Sequence, residues 1–299
     1  MARSTRKASA SGTSPGRRPD PHARLRARER IAAQQAARRR AEARRRLLIA
    51  AASVTAVLAI VGALVGVRLT ASPATAAASE SKASAAVVSQ VTSVPASVLA
   101  RAGTGQVATA LQPVKTPASP LRIGGKPAIV FVGEESCPFC AAERWPLIVA
   151  LSHFGVFTNL GTTTSSASDV DPNTATFSFR TASYHSTQLT LRTTELANNA
   201  GQPLQPQTAL DTKLINTYDV PPYVNSADQS GAVPFLDIAN HDVLAGAQYD
   251  PQVLAGLSAT QIASQLRNPA SPVAKAIDGS ASVIIAAINS VLHSTPAHG

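Results

Sequence analysis

The stretch Ala128-Ile129-Val130-Phe131-Val132-Gly133-Glu134-Glu135-Ser136-Cys137-Pro138-Phe139-Cys140 decides how this chain folds. Its five leading apolar residues follow Lys126-Pro127 and suit a buried central strand. Residues 133–136 then turn the chain. Residues 138–154 read as a helix, with apolar residues at Ala141, Trp145, Ile148, Val149 and Phe154. Pro138 suits the first helical turn, where its missing N–H leaves nothing unsatisfied. Pro146 falls inside the helix and is expected to kink it. The order strand, turn, helix puts Cys137 at the N-cap and Cys140 three residues on. The first N–H groups of a helix lack internal partners and the dipole there is positive, so a thiolate is favoured.

These are the only two cysteines in 299 residues. A disulfide within one chain must therefore close this four-residue ring, and so short a loop removes little unfolded-state entropy. Reactivity is the better reason for the pair. Cys137 is assigned as the attacking thiolate and Cys140 as the resolving thiol, with attack giving a mixed disulfide that Cys140 releases. Glu134 and Glu135 would raise the thiol pKa if they point inward, and Arg144 would lower it; their order along the chain does not decide between them. Two plainer readings stand beside this one. The pair is half of a zinc site, although the six histidines (His22, His153, His185, His241, His293, His298) show no paired ligand spacing. Or it is an idle pair of small buried thiols.

The formal charge of +10 is unevenly spread. Residues 1–46 hold 15 of the 27 Lys and Arg with only Asp20, Glu29 and Glu42 as acids, a net +12, and the rest of the chain is at −2. The pI of 10.3 thus belongs to the tail. A nucleic-acid partner is not expected, since no aromatic residue interleaves with the arginines. The tail reads as disordered to about residue 22 and helix-favouring from 22 to 46. It is either a basic helix held on anionic lipid or a solvated topology signal.

Directly after Arg44-Arg45-Arg46, residues 47–67 form an uncharged run of 21 residues, enough for a transmembrane helix of about 20. The alternative is a cleaved signal peptide, favoured by the small residues at 71–78 and opposed by the long basic lead. Basic residues crowd the N-terminal flank, so the N-terminus is expected in the cytoplasm and residues 70–299 outside, anchored by a single pass through the cell membrane. That compartment permits disulfide chemistry.

The expected organisation is a basic cytoplasmic tail (1–46), a transmembrane helix (47–67), an Ala/Ser/Pro-rich linker (68–120) and a globular domain (121–295). Helical periodicity over 84–102 suggests that part of the linker packs on the domain. Beyond the cysteine helix, 156–160 reads as a second strand, 176–180 and 187–193 as strands or a hairpin, and 210–218 as a helix. Residues 233–238 and 242–245 read as a hairpin turning at Asn240-His241, and 258–267 and 282–292 as helices.

A second element lies ~95 residues after the pair, where Gly231-Ala232-Val233-Pro234-Phe235-Leu236-Asp237-Ile238 puts a proline at the start of a β-run. In this context the layout resembles the thioredoxin fold, in which a Val-Pro or Thr-Pro bond is cis and faces the cysteine pair. That resemblance implies that Val233 offers its backbone to an incoming peptide and that Pro234 shapes the groove; an ordinary trans proline is the alternative. Cys-Pro-Phe-Cys alone is similar to glutaredoxin motifs, but the long insert between Val156 and Val233 and the anchor do not suit a glutaredoxin. The string from Phe131 to Leu147, together with Asp171-Pro172-Asn173-Thr174-Ala175-Thr176-Phe177-Ser178-Phe179, looks like the uncharacterised thioredoxin-like family catalogued as domain of unknown function 929. The likeness covers about residues 120–295. It implies an α/β, thioredoxin-like fold, a central mixed sheet flanked by helices with an insertion, and a disulfide redox role, but no established substrate. Ser136 stands where thioredoxin carries Trp, so thioredoxin-like partner choice does not follow from the likeness.

Two functional readings follow. The first is a membrane-anchored extracytoplasmic thiol–disulfide oxidoreductase. Its catalytic residues are Cys137 and Cys140, its substrate contacts Val233 and Pro234, and its redox-active group the pair itself, with no cofactor or metal. Its partners are exported proteins with thiols or disulfides, with a membrane redox protein as a further candidate. The second is a non-enzymatic thioredoxin-like module that binds a peptide or partner, with Ser183-Tyr184-His185 and residues 218–223 as candidate surface.

Overall fold

The computed structural model describes residues 81–294 apart from residues 105, 116–118 and 225–229. The expected basic tail and spanning run lie outside the described residues.

Strand β1 (Ser81–Lys82) leads into helices α1 (Ala85–Thr92) and α2 (Ala96–Ala102). Short strands β2 (Gln112–Pro113) and β3 (Arg122–Ile123) precede β4 (Lys126–Gly133), which runs straight into α3 (Pro138–Leu151). Four small strands follow: β5 (Val156–Thr158), β6 (Gly161–Thr164), β7 (Ala175–Ser178) and β8 (Ser183–His185). Then come β9 (Thr190–Glu195), α4 (Ala209–Tyr218), the hairpin β10 (Phe235–Ile238) and β11 (Asp242–Ala245), a 3-10 turn at Pro251–Leu254, and helices α5 (Ala259–Gln265) and α6 (Pro272–Ser294).

The main sheet is mixed. Strand β4 pairs in parallel with β9 and antiparallel with β10, and β11 continues antiparallel beyond β10, with β2 on its far side. The period-two alternation of a strand splits β4 between two cores. Ile129 and Phe131 join one that holds Trp145, Leu147 and Ile148 of α3 and Ile277, Ile284 and Ile288 of α6. Val130 and Val132 join a second, with Leu214, Ile215 and Tyr218 of α4. Strand β4 is thus buried on both faces, which explains its unbroken apolar run. The result is an α/β molecule in three layers, helices on either side of a mixed sheet.

The structure refines three expectations. The strand expected at 156–160 is β5, at Val156–Thr158, which pairs β8 in a separate two-stranded sheet; the strand beside β4 is β9. Only Phe157 of β5 is buried, whereas β9 has six residues rich in β-branched side chains and can match the length of β4. The folded part also starts well before residue 121. Val87, Val91, Val98 and Leu99 of α1 and α2 belong to the main core, so the periodicity seen at 84–102 is that of packed helices. Finally, the helix expected at 282–292 begins at Pro272. Among the described residues, residues 272–293 are long and apolar enough to cross a membrane by length and composition. Here they form a core helix, with Ile277, Ile284 and Ile288 fully buried against α3 and its neighbours.

Pro146 lies inside α3 and cannot donate to Ala142 O one turn back. Tyr249 fills that place: its hydroxyl donates to Ala142 O at 2.8 Å from a fully buried position. Thr176 Oγ1 donates to Ala141 O at 2.8 Å, and Trp145 Nε1 donates to Ala175 O at 3.0 Å. The insertion strand β7 is therefore bolted along α3.

Candidate active site

The turn after β4 brings both cysteines to the N-terminus of α3. Cys137 is the N-cap, with extended backbone, and its Sγ accepts the N–H of Cys140 at 3.2 Å. Cys140 is fully buried and its Sγ accepts the N–H of Glu134 at 3.4 Å; Cys137 is half-buried. Cys137 is therefore the sulfur nearer solvent, as its N-cap position led one to expect.

Electrostatics separate the two thiols. A hydrogen bond from the Cys140 side chain lowers the Cys137 pKa most, assisted by the Cys140 N–H and the Arg144 charge, against the opposing effect of burial. Burial pushes the Cys140 thiol well up, and its hydrogen bond and charge coupling to Cys137 add to the rise. This ordering suits a nucleophile above a resolving thiol that keeps its proton until attack. Of the charges weighed from the sequence, Arg144 acts on both sulfurs and favours their ionised form, while Glu134 Oε2 accepts from Ser136 Oγ at 2.9 Å.

Val233 faces Cys137, and Pro234, which follows it, is buried. The Val233-Pro234 bond is cis, and the Cys137 thiol donates to Val233 O at 3.6 Å. Pro234 O accepts the N–H of Gly246, fixing the approach to β10. A groove of about 370 Å³ opens between Phe139 and Val233 and is continued by Ala110, Pro222, Tyr223 and Ala245; among the described residues no charged side chain lines it. Phe139, the second residue inside the motif, is 41 % exposed at its edge. The two surface candidates separate here. Pro222 and Tyr223 belong to the groove, with Tyr223 Oη accepting the Lys115 N–H at 3.2 Å, whereas Tyr184 donates to Leu151 O and packs on Phe157 in the insertion.

Sequence reasoning missed Glu195 and Tyr249. Glu195 meets Arg144 in a buried two-point ion pair, and Tyr249 completes the cysteine helix. Neither carries a local signal, because each acts on a helix 51 or 107 residues away. Among the described residues no group of three His, Cys, Asp or Glu side chains is placed to hold a metal ion.

A family model described as Domain of unknown function (DUF929) matches residues 112–290, more than half of the chain. No curated protein and no solved structure matches it.

Proposed function

We propose, for a chain that belongs to the DUF929 family, the work of a thiol–disulfide oxidoreductase with a thioredoxin-like fold, anchored in the cell membrane and acting outside it on cysteines of exported proteins. The observation that carries this is the asymmetry of the pair: a half-buried Cys137 with lowered pKa, facing Val233 O, above a buried Cys140 with raised pKa. The sheet order β11, β10, β4, β9, with one parallel pair, supports the thioredoxin-like reading, as do the cysteines at the start of the intervening helix and the cis Val233-Pro234 bond.

In the reducing direction the Cys137 thiolate attacks one sulfur of a substrate disulfide. A Cys137–substrate bond forms and the other substrate sulfur leaves as a thiolate that takes up a proton. Cys140 then loses its proton and attacks Cys137 Sγ. The Cys137–Cys140 bond forms, the second substrate thiolate leaves, and two electrons have passed to the substrate. Run backwards, the same steps donate a disulfide, with a membrane redox partner as the electron exchanger. The groove beside Phe139 and Val233, whose described lining carries no charged side chain, suits an extended segment with apolar residues near its cysteine.

The test is reduction of insulin disulfides and oxidation of a reduced, unfolded protein by the full chain. Activity in either assay, lost in Cys137→Ser, supports the proposal. No activity in both, with a Cys137 thiol that alkylates like a free one, would leave a binding module. The topology is tested with reporters fused after residue 299, which should be active only outside the cytoplasm.

A further inference from the structure

Arg144 follows Cys140 by four residues, so it projects from the same face of α3 one turn on. It is fully buried, and its Nε and Nη2 donate to Oε1 and Oε2 of Glu195 at 3.0 and 2.5 Å. Its guanidinium carbon lies 5.5 Å from the centroid of the Phe131 ring, and its Nη1 has no hydrogen-bond partner among the described residues. Glu195 is equally buried and held in place. Its Oε1 also accepts the Phe179 N–H at 3.2 Å, and its own N–H donates to Gln205 Oε1 at 2.7 Å. It closes β9 directly opposite Gly133 of β4, the residue before the Glu134 N–H that donates to Cys140 Sγ. The ion pair therefore ties the cysteine helix to the strand ends that carry the sulfur contacts.

Stability is a weak reason for such a pair. Removing two charges from water costs several kcal/mol per ion on the order of magnitude, and well-packed apolar replacements are often neutral or stabilising. The Arg144 charge acts instead on its neighbours, and it favours the ionised form of both sulfurs, one of them a single turn back on the same helix face.

We infer that the Arg144–Glu195 ion pair is the electrostatic control of the cysteine pair, Arg144 holding the charge on the Cys137 thiolate and Glu195 limiting that pull. Both are positioning residues, and the inference rests on the thiol–disulfide reading above. Arg144 favours the reduced, ionised pair and so makes the disulfide more oxidising; Glu195 restrains this. The lowered Cys137 pKa, to which the Arg144 charge contributes, agrees.

A role in electrostatics and a role in packing predict different signs. The full chain is compared with Arg144→Met, Glu195→Gln and the double variant Arg144→Met/Glu195→Leu. The readouts are the pH midpoint of Cys137 alkylation, mapped by mass spectrometry, and the pair's equilibrium with glutathione. Arg144→Met should raise the midpoint by about half a pH unit or more and make the pair more reducing. Glu195→Gln should move both readouts the opposite way. Singles that shift in the same direction, or a folded single that shifts nothing, overturn the inference. Each single leaves one buried charge uncompensated and is prone to unfolding. The double variant leaves none, and its midpoint must rise; an unchanged or lower midpoint in the folded double overturns the inference on its own. Failure of the underlying reading looks different: every protein, wild type included, would alkylate as a free thiol and lack redox activity.

Discussion

Cys137 Sγ lies 3.6 Å from the carbonyl oxygen of Val233, a residue 96 positions later in the chain, while Cys140 is sealed beneath it. Only one sulfur therefore meets an incoming disulfide. Cys140→Ser should accumulate a mixed disulfide through Cys137, visible as a mass increase lost on reduction. Cys137→Ser should trap nothing and lose at least about a hundredfold in activity, since the remaining thiol is buried with a raised pKa. Trapping through Cys140 in the second variant would reverse the assignment.

Tyr249→Phe removes the donor to Ala142 O, the carbonyl that Pro146 leaves unpaired. The expected loss is about 1–3 kcal/mol, the cost of a buried acceptor without a partner. Pro146→Ala restores a backbone N–H at that point, so the same Tyr249→Phe change should cost clearly less in a Pro146→Ala background. Urea unfolding of the four proteins in the cycle measures the difference, and equal losses in both backgrounds would refute the account.

Burial raises the pKa of Glu143 to about 8 and those of Asp278 and Asp237 to about 7. Each holds a proton in the fold that the unfolded chain releases near its ordinary value of about 4. The unfolded state thus binds fewer protons above that pH, and stability must fall as pH rises. The contribution is fully present below about pH 4 and lost by about pH 8, with a slope of up to ~1.4 kcal/mol per pH unit for each titrating group. Urea midpoints between pH 5 and 8 should decline, and Glu143→Gln should flatten the decline. A midpoint that rises over this range contradicts the assignment.

Gly279 lies inside α6, where alanine ordinarily gains about 1 kcal/mol. Here a Cβ would stand 2.6 Å from the backbone oxygen of Gly103 at the end of α2. Gly279→Ala is therefore expected to destabilise, by about 1–3 kcal/mol, because two helices must separate to admit one methyl group. Thermal unfolding decides the sign.

The parts legible in the sequence were those whose physics is local. The run 128–132 announced a buried strand, Cys137-Pro138 announced a helix start, and the helix read at 210–218 is present, headed by a Thr208–Asp211 capping box that went unread. What stayed hidden was pairing over distance. Val156–Thr158 and Thr190–Glu195 both look like strands, and nothing within either segment tells which one lies beside Lys126–Gly133. Glu195 looks like any strand-end carboxylate until the fold sets it against Arg144. Pro146 signalled a break in α3, and the sequence gives no hint that a tyrosine 103 residues on repairs it.

That repair has a consequence in time. A chain emerging N-terminus first presents Cys137 and Cys140 long before Val233, Gln248 and Tyr249 are available to complete their surroundings. Until then the two sulfurs are chemically alike, and the nascent protein carries a pair of ordinary thiols. Arrested chains of increasing length should therefore alkylate both cysteines at one common rate. The rates should part only once residue 249 and the helix Pro272–Ser294 have docked. On this expectation the difference between the two thiols belongs to the finished fold, and the unfinished chain carries none of it.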